Sequence, residues 1–243
     1  MMVDDNMPIT AVLFDWDHTL AYSEVGTDDF SARLTAMFAI TGLDYSQSQI
    51  ENALAAVAAD HAAGKIPWHT SPQTRQQIGW GYYHLLKKLG HPDLSWPLLI
   101  RLYSTYALLP TALYPDVLPV LEQLRVQDYT LGIVSNHSIT ARPIMENLVG
   151  AFIPPHHITI SEEEGVHKPA RTIFRKAAAR VKTAPKACIL IGDNMEVDAL
   201  GAVQQGGYGG GIWLDRNSNG AAKLPDGIMR ITTLQDVIEC LAN

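Results

Sequence analysis

The 243-residue chain has only two cysteines, Cys188 and Cys240, each inside an apolar segment. That excludes a disulfide framework and a cysteine metal cluster, and it suits two packed thiols in a reducing compartment. Positive charge is short as well: 18 lysines and arginines stand against 25 acids, a formal net charge of −7. An extended nucleic-acid or anionic-membrane surface needs a basic face, so neither partner is expected, and an anionic substrate must be met by a local positive site. No apolar run is long enough to span a bilayer, and the opening MMVDDNMPIT lacks the basic start and apolar core of a secretory signal. A cytoplasmic protein, monomeric or homodimeric, is the expectation. There is no internal repeat or low-complexity tract.

What is present is a soluble globular composition, 47% hydrophobic and 18% charged, enough for a sizeable core. Short apolar runs of strand character recur at AVLF (11–14), TLGIV (130–134), HITI (157–160), ACILI (187–191), GIWL (211–214) and MRI (229–231). Most are followed by apolar residues at helical spacing, as in DVLPVLEQLRV, ITARPIMENLV, ARTIFRKAAARV, MEVDALGAVQQ and TLQDVIECLA. Thr233 with Asp236 predicts a capping box before the last of these. Alternating strand and helix over 110–243 predicts an α/β fold, a parallel sheet with helices on both faces. Ligands of such sheets collect at the carboxyl ends of the strands.

Residues 21–109 break the alternation. SQIENALAAVAADHAAG and GYYHLLKKLG have helical patterning, PWHTSPQTRQQ is expected to be an interhelical loop, and no strand is evident. The expected organisation is a sheet domain of 1–20 and 110–243 interrupted by an α-helical insert, 21–109.

Four polar clusters stand at predicted strand ends. AVLFDWDHTL ends in Asp15 and Asp17, which would share a face if the extended geometry persists. At ~6 Å and an effective dielectric of ~20, two such charges repel by about 3 kcal/mol, which a cation, a shared proton or solvation must offset. Ser135-Asn136 follows TLGIV and offers a hydroxyl and an amide to a phosphate oxygen, although this pair also opens turns and caps helices. In VHKPARTIF, Pro169 suits a first helical turn and puts Lys168 near a helix N-terminus, a position that calls for an anionic partner. Gly192-Asp193-Asn194-Met195-Glu196-Val197-Asp198 follows ACILI, where Asp193 can supply a further oxygen ligand to a cation.

Taken together these segments resemble the haloacid dehalogenase superfamily. FDWDHTL looks like its first motif, VSN its second, the lysine of HKP its third and GDNMEVD its fourth, in that order across the sheet domain. YPDVLPVLEQL and ALGAVQQG are similar to the capped, phosphoglycolate phosphatase-like branch. The resemblance implies a Rossmann-like core with an inserted α-helical cap, and strand ends bearing the first, second and fourth motifs brought together. It implies Asp15 as a nucleophile that forms an aspartyl phosphate, and Asp17 as general acid and then base. Mg²⁺ is implied on Asp15, the backbone carbonyl of Asp17 and Asp193, with Asp198 behind the direct ligands or replacing a metal water. Ser135, Asn136, Lys168 and Thr19 would make the phosphate site, with Thr19 also tying the first loop. The implied reaction is hydrolysis of a small phosphorylated metabolite.

His18 departs from the pattern, since the family usually has glycine there. In the insert, Arg75 and His69 are the candidates for contact with the leaving group, Arg75 because it can pair with a carboxylate or second phosphate. A haloacid dehalogenase would lack the second acid, Asp17. Sugar-phosphate mutases tend to carry valine in place of Thr19, and a non-catalytic phospho-accepting regulatory module would have little use for Asp17 and a full anion site.

Overall fold

A computed structural model describes residues 7–26, 29–67, 75–217 and 224–242. The chain divides into two compact units, Met1–Tyr22 with Ala112–Asn243, and Ser23–Thr111. These breaks fall two residues beyond the expected 20/21 and 109/110.

The first unit is built on β1 (Ala11–Phe14), buried at every position, as near-continuous apolar strands of parallel sheets are. Full burial of Leu13 or Phe14 contributes roughly 1.5–3 kcal/mol each. A short strand, β2 (Ala21–Ser23), follows; the sequence showed none there. The second unit then holds α1 (Phe30–Ile40), α2 (Gln47–Ala62), α3 (Arg75–Lys88) and α4 (Trp96–Thr105). Local chemistry starts them. Asp29 Oδ1 caps α1 by accepting from the N–H groups of Ser31 and Ala32 at 2.9 and 3.1 Å. Ser46 and Gln49 form a reciprocal capping box on α2. Leu34, Phe38, Ile50, Leu86 and Leu102 are central to the shared apolar core of these helices. Arg75, Gln76 and Gln77 are helical, which corrects the expectation of a loop through Gln77; Trp68 to Thr74 lie outside the described residues.

The chain returns through β3 (Thr111–Leu113), which pairs with β2, into α5 (Val117–Val126), β4 (Thr130–Ser135) and α6 (Arg142–Val149). Then come β5 (Ile158–Ile160), the single turn α7 (Ser161–Glu164), α8 (Arg171–Arg180) and β6 (Cys188–Gly192). A wide-turned π-helix, Met195–Leu200 followed by Ala202–Gly206, precedes β7 (Gly210–Leu214), β8 (Ile228–Ile231) and α9 (Asp236–Ala242). The Asp236 carboxylate accepts the N–H groups of Thr232 and Thr233, the reach-back half of the expected capping box.

The six-stranded sheet has the order β5-β4-β1-β6-β7-β8 with parallel pairing throughout. Ala11 and Leu13 share a buried cluster with Ile173, Phe174 and Ala177 of α8. Because β4 and β6 flank β1, the residues that end these three strands are neighbours across the ladder. No helix among the described residues is long and apolar enough to cross a membrane.

Candidate active site

The central strand carries its register one residue past its end, for the Asp15 N–H donates to Ile191 O at 2.8 Å. Trp16, between the two acids, is almost wholly buried and anchors the segment. The chain then turns tightly, with the N–H groups of Leu20 and Ala21 both donating to Trp16 O at 3.0 Å. His18 occupies this turn with φ +58°, the left-handed region where glycine is at no disadvantage.

The two acids end up with different partners. Asp15 Oδ1 lies 2.6 Å from Lys168 Nζ. Asp17 is not part of the buried acidic cluster; its Oδ2 lies 3.3 Å from Nε2 of His137. The two acids of D-W-D thus face different groups, Asp15 an ammonium and Asp17 an imidazole.

Lys168 is 2% exposed, and its Nζ is also 2.6 Å from Asp198 Oδ1. Burial alone would lower its pKa, but the charges of Asp15 and Asp198 outweigh that and hold the ammonium above its ordinary range. Its loop is fixed by Asn136, whose amide donates to Lys168 O at 2.9 Å and whose oxygen accepts the Lys168 N–H at 2.7 Å. Asn136 thus holds the lysine's backbone through both ends of its amide. Pro169 lies outside α8, whose cap is Ala170, so the predicted first-turn placement is corrected. Ser135 ends β4 beside β1 and is 1% exposed.

On the other side of β1, Asp193 follows β6. Its N–H donates to Thr19 Oγ1 at 3.0 Å and its carbonyl accepts from Trp213 Nε1 at 2.9 Å. Thr19 is fully buried, and its hydroxyl ties the first loop to the segment after β6. Asp198 joins the two acids: Asp15, Asp193 and Asp198 offer carboxylate oxygens that all lie within 4.8 Å of one another. Gly192 makes that approach possible, because a Cβ there would stand 2.3 Å from Asp198 Oδ2. Asp198 Oδ2 accepts the Asn194 N–H at 3.1 Å, which folds the wide first turn of the π-helix back over the glycine.

Crowding shows in the protonation of Asp193 and Asp198. Burial, then the charges of Asp15 and Asp198, push the Asp193 carboxyl up to about 8. Asp198 is raised to about 6, chiefly by burial, with Lys168 opposing. A divalent cation fits: the donors are hard carboxylate oxygens, and added positive charge relieves the repulsion that raises Asp193.

Three contributors carry no assigned role in the sequence reading. Gly192 and His137 adjoin recognised residues, so adjacency was their only signal. Arg216 was hidden, since its contacts lie far along the chain: Nη2 donates to Thr19 O at 2.8 Å and the guanidinium grips Asp116 at 2.9 and 3.0 Å. Of the insert candidates, His69 lies outside the described residues, and Arg75 opens α3.

The chain is 32% identical over 208 residues to a glyceraldehyde 3-phosphate phosphatase of Methanopyrus kandleri, covering 82% of this chain and 81% of that protein. Its fold matches a HAD phosphatase from Thermococcus onnurineus with TM-score 0.64 and 23% identity over 96% of this chain and 98% of that one. It also matches YfnB of Bacillus subtilis, solved bound to magnesium, with TM-score 0.68 and 18% identity over 98% and 100% of the two chains. Residues 9–206 match the haloacid dehalogenase-like hydrolase model, and the chain belongs to that family of hydrolases.

Proposed function

We propose that this hydrolase is a Mg²⁺-dependent phosphatase of a small phosphorylated metabolite, working through an aspartyl phosphate on Asp15. The observation that carries the reading is the buried Lys168 ammonium 2.6 Å from both Asp15 and Asp198, a fixed positive charge beside the nucleophile at the mouth of the sheet. The phosphatase named among its relatives supports the same reaction class.

Asp15 attacks phosphorus through a carboxylate oxygen, and the bond from phosphorus to the leaving oxygen breaks. Asp17 gives its proton to that oxygen. Water then attacks the phosphorus of the aspartyl phosphate, Asp17 takes a proton from it, and inorganic phosphate leaves with Asp15 restored. Lys168 stabilises charge on the phosphoryl oxygens, joined by Ser135 at the end of β4. Asn136 and Thr19 act indirectly, by holding the lysine loop and the Asp193 loop. Mg²⁺ would be held by Asp15, the main-chain carbonyl of Asp17 and Asp193, with Asp198 adjoining. When bound, it neutralises the charge shared by nucleophile and phosphate.

The test is hydrolysis of p-nitrophenyl phosphate with Mg²⁺ and with excess chelator, for the parent protein and Asp15→Asn. The expected result is turnover only with the cation, lowered by roughly 10⁴-fold or more in the variant, whose circular dichroism is unchanged. Full activity in chelator, or an undiminished Asp15→Asn protein, would overturn the proposal. Turnover of a 2-haloacid without any phosphatase activity would replace it with dehalogenation.

A further inference from the structure

Asp17 is the more open of the two acids, its side chain 37% exposed, and a carboxylate so placed is free to turn unless something holds it. The described neighbour able to do so is His137, one residue beyond the Ser135-Asn136 pair. Its side chain is 9% exposed, with Nε2 3.3 Å from Asp17 Oδ2. The other ring nitrogen, Nδ1, lies 3.2 Å from the Ser138 carbonyl oxygen. The Ser138 hydroxyl lies 3.4 Å from the same nitrogen and can donate to it, which leaves Nε2–H to donate to Asp17 Oδ2.

The histidine is itself anchored from a separate part of the sheet. Its N–H donates to Ser161 Oγ at 3.1 Å, and its carbonyl accepts from Ser161 Oγ and from the Glu162 N–H, both at 3.3 Å. Ser161 and Glu162 follow β5, two strands from β1 in the sheet order. The imidazole is therefore a fixed post, and the separation of 3.3 Å is of the kind that shortens when substrate closes a site.

We propose that His137 is a positioning residue for Asp17. By engaging Oδ2 it fixes the carboxyl rotamer and leaves Oδ1 for the oxygen that departs from phosphorus. The inference rests on Asp17 being the proton donor proposed above. It predicts that His137 matters in proportion to how much the leaving oxygen needs a proton.

The experiment measures kcat/KM on p-nitrophenyl phosphate and on phenyl phosphate, whose leaving group is the more basic, for the parent, His137→Ala, His137→Gln, Asp17→Asn and the double variant Asp17→Asn/His137→Ala. His137→Ala is expected to lose roughly tenfold or more on phenyl phosphate and clearly less on the nitro ester. His137→Gln, which keeps a hydrogen-bonding group near the place of Nε2, should recover most of the loss. In the Asp17→Asn background, removing His137 should cost nothing further. Equal losses on both esters, no recovery with glutamine, or additive losses in the double variant would overturn the inference. If His137→Ala does not fold, His137→Leu repeats the measurement with the ring's bulk retained. Should Asp17→Asn itself slow both esters equally, the proton-donor reading falls and this inference with it. Should Asp17→Asn be steeply sensitive to the leaving group while His137→Ala is not, only the inference falls.

Discussion

The sheet unit and the helical unit handle a lysine among carboxylates in opposite ways. In the sheet unit Lys168 is 2% exposed, with Asp15 and Asp198 each 2.6 Å from its ammonium. In the helical unit Asp60 meets Lys65 at 3.3 Å and pairs also with Lys88, all in solvent contact. The second arrangement is the ordinary one, screened and of small consequence. The first is held together by mutual dependence: a buried charge is tolerable only while its partners remain. The contrast teaches where the molecule has accepted electrostatic risk, at the carboxyl edge of the sheet and nowhere comparable in the helices described.

The largest expected effect breaks that dependence. Lys168→Met leaves two buried carboxylates facing each other and should destabilise the protein by about 3–5 kcal/mol at neutral pH, measured by urea denaturation. Lys88→Met should produce no measurable change. Equal behaviour of the two variants would show that the buried cluster is solvated after all, and the comparison would dissolve.

Glycine sharpens the contrast next. At Gly192 a Cβ would meet Asp198 at 2.3 to 2.5 Å, and Asp198 is itself 1% exposed and held by Lys168 and Asn194. At Gly79 in α3 a Cβ would come 2.8 Å from the ring of Trp96, which is half exposed and can swing aside. Gly192→Ala should therefore cost about 1–3 kcal/mol and most of the activity. Gly79→Ala should be neutral or stabilising, because the gain in helix propensity is about 1 kcal/mol. Thermal melts and a p-nitrophenyl phosphate assay on both variants decide this.

The two regions also differed in how much of them could be read before the fold was known. Strand positions were legible because β1, β4 and β6 are apolar almost without interruption, and each run stops at or just before a polar residue. Asp15, Ser135 and Asp193 were found at those stops. What could not be read were the ties between stops: Asn136 to Lys168, Thr19 to Asp193, His137 to Asp17 and Arg216 to Thr19. Each joins segments whose proximity depends on the order β5-β4-β1-β6-β7-β8, which no local pattern encodes. In the helical unit the loss was of another kind. α1 and α4 were overlooked although Asp29 caps the first and Pro97 opens the second, both local signals. The π winding after Asn194 has no such signal, since its apolar spacing is that of an ordinary helix.

Acid titration should run in opposite directions in the two regions. Asp193, raised by burial to about 8 from an ordinary 3.8, holds a proton in the folded protein that the unfolded chain has lost. Its contribution to stability is complete below 3.8 and disappears as pH climbs to about 8. Asp29 in the helical unit is held below 3.8 by hydrogen bonds from the Ser31 hydroxyl and then the Ala32 N–H, so its contribution is present above 3.8 and fades as pH falls further. A cation that replaces the proton on the Asp193 site should stabilise more at pH 8.5 than at pH 6. At ten times its Kd the gain is about 1.4 kcal/mol, read as a rise in Tm with Mg²⁺. An Mg²⁺ shift that is the same at both pH values would remove Asp193 from the metal site.

The smallest expected effect concerns left-handed backbone. The helical unit spends glycine on it, at Gly42, Gly64 and Gly90, and a Cβ at any of these would meet open space. The first loop of the sheet unit puts His18 there instead, at φ +58°. Any L side chain in that region carries about 1 kcal/mol of backbone strain that glycine avoids, offset in part by glycine's greater freedom when unfolded. His18→Gly and His18→Ala both remove the imidazole, so the difference between them isolates the backbone. The glycine variant should be the more stable by up to about 1 kcal/mol, the same sign and size as Gly90 over Gly90→Ala. If the alanine variant at 18 is instead the equal of the glycine one while Gly90→Ala is destabilised, the turn after Asp15 relaxes without its histidine. The strain would then belong to the side chain's contacts, and the loop that presents Asp17 would owe its shape to His18.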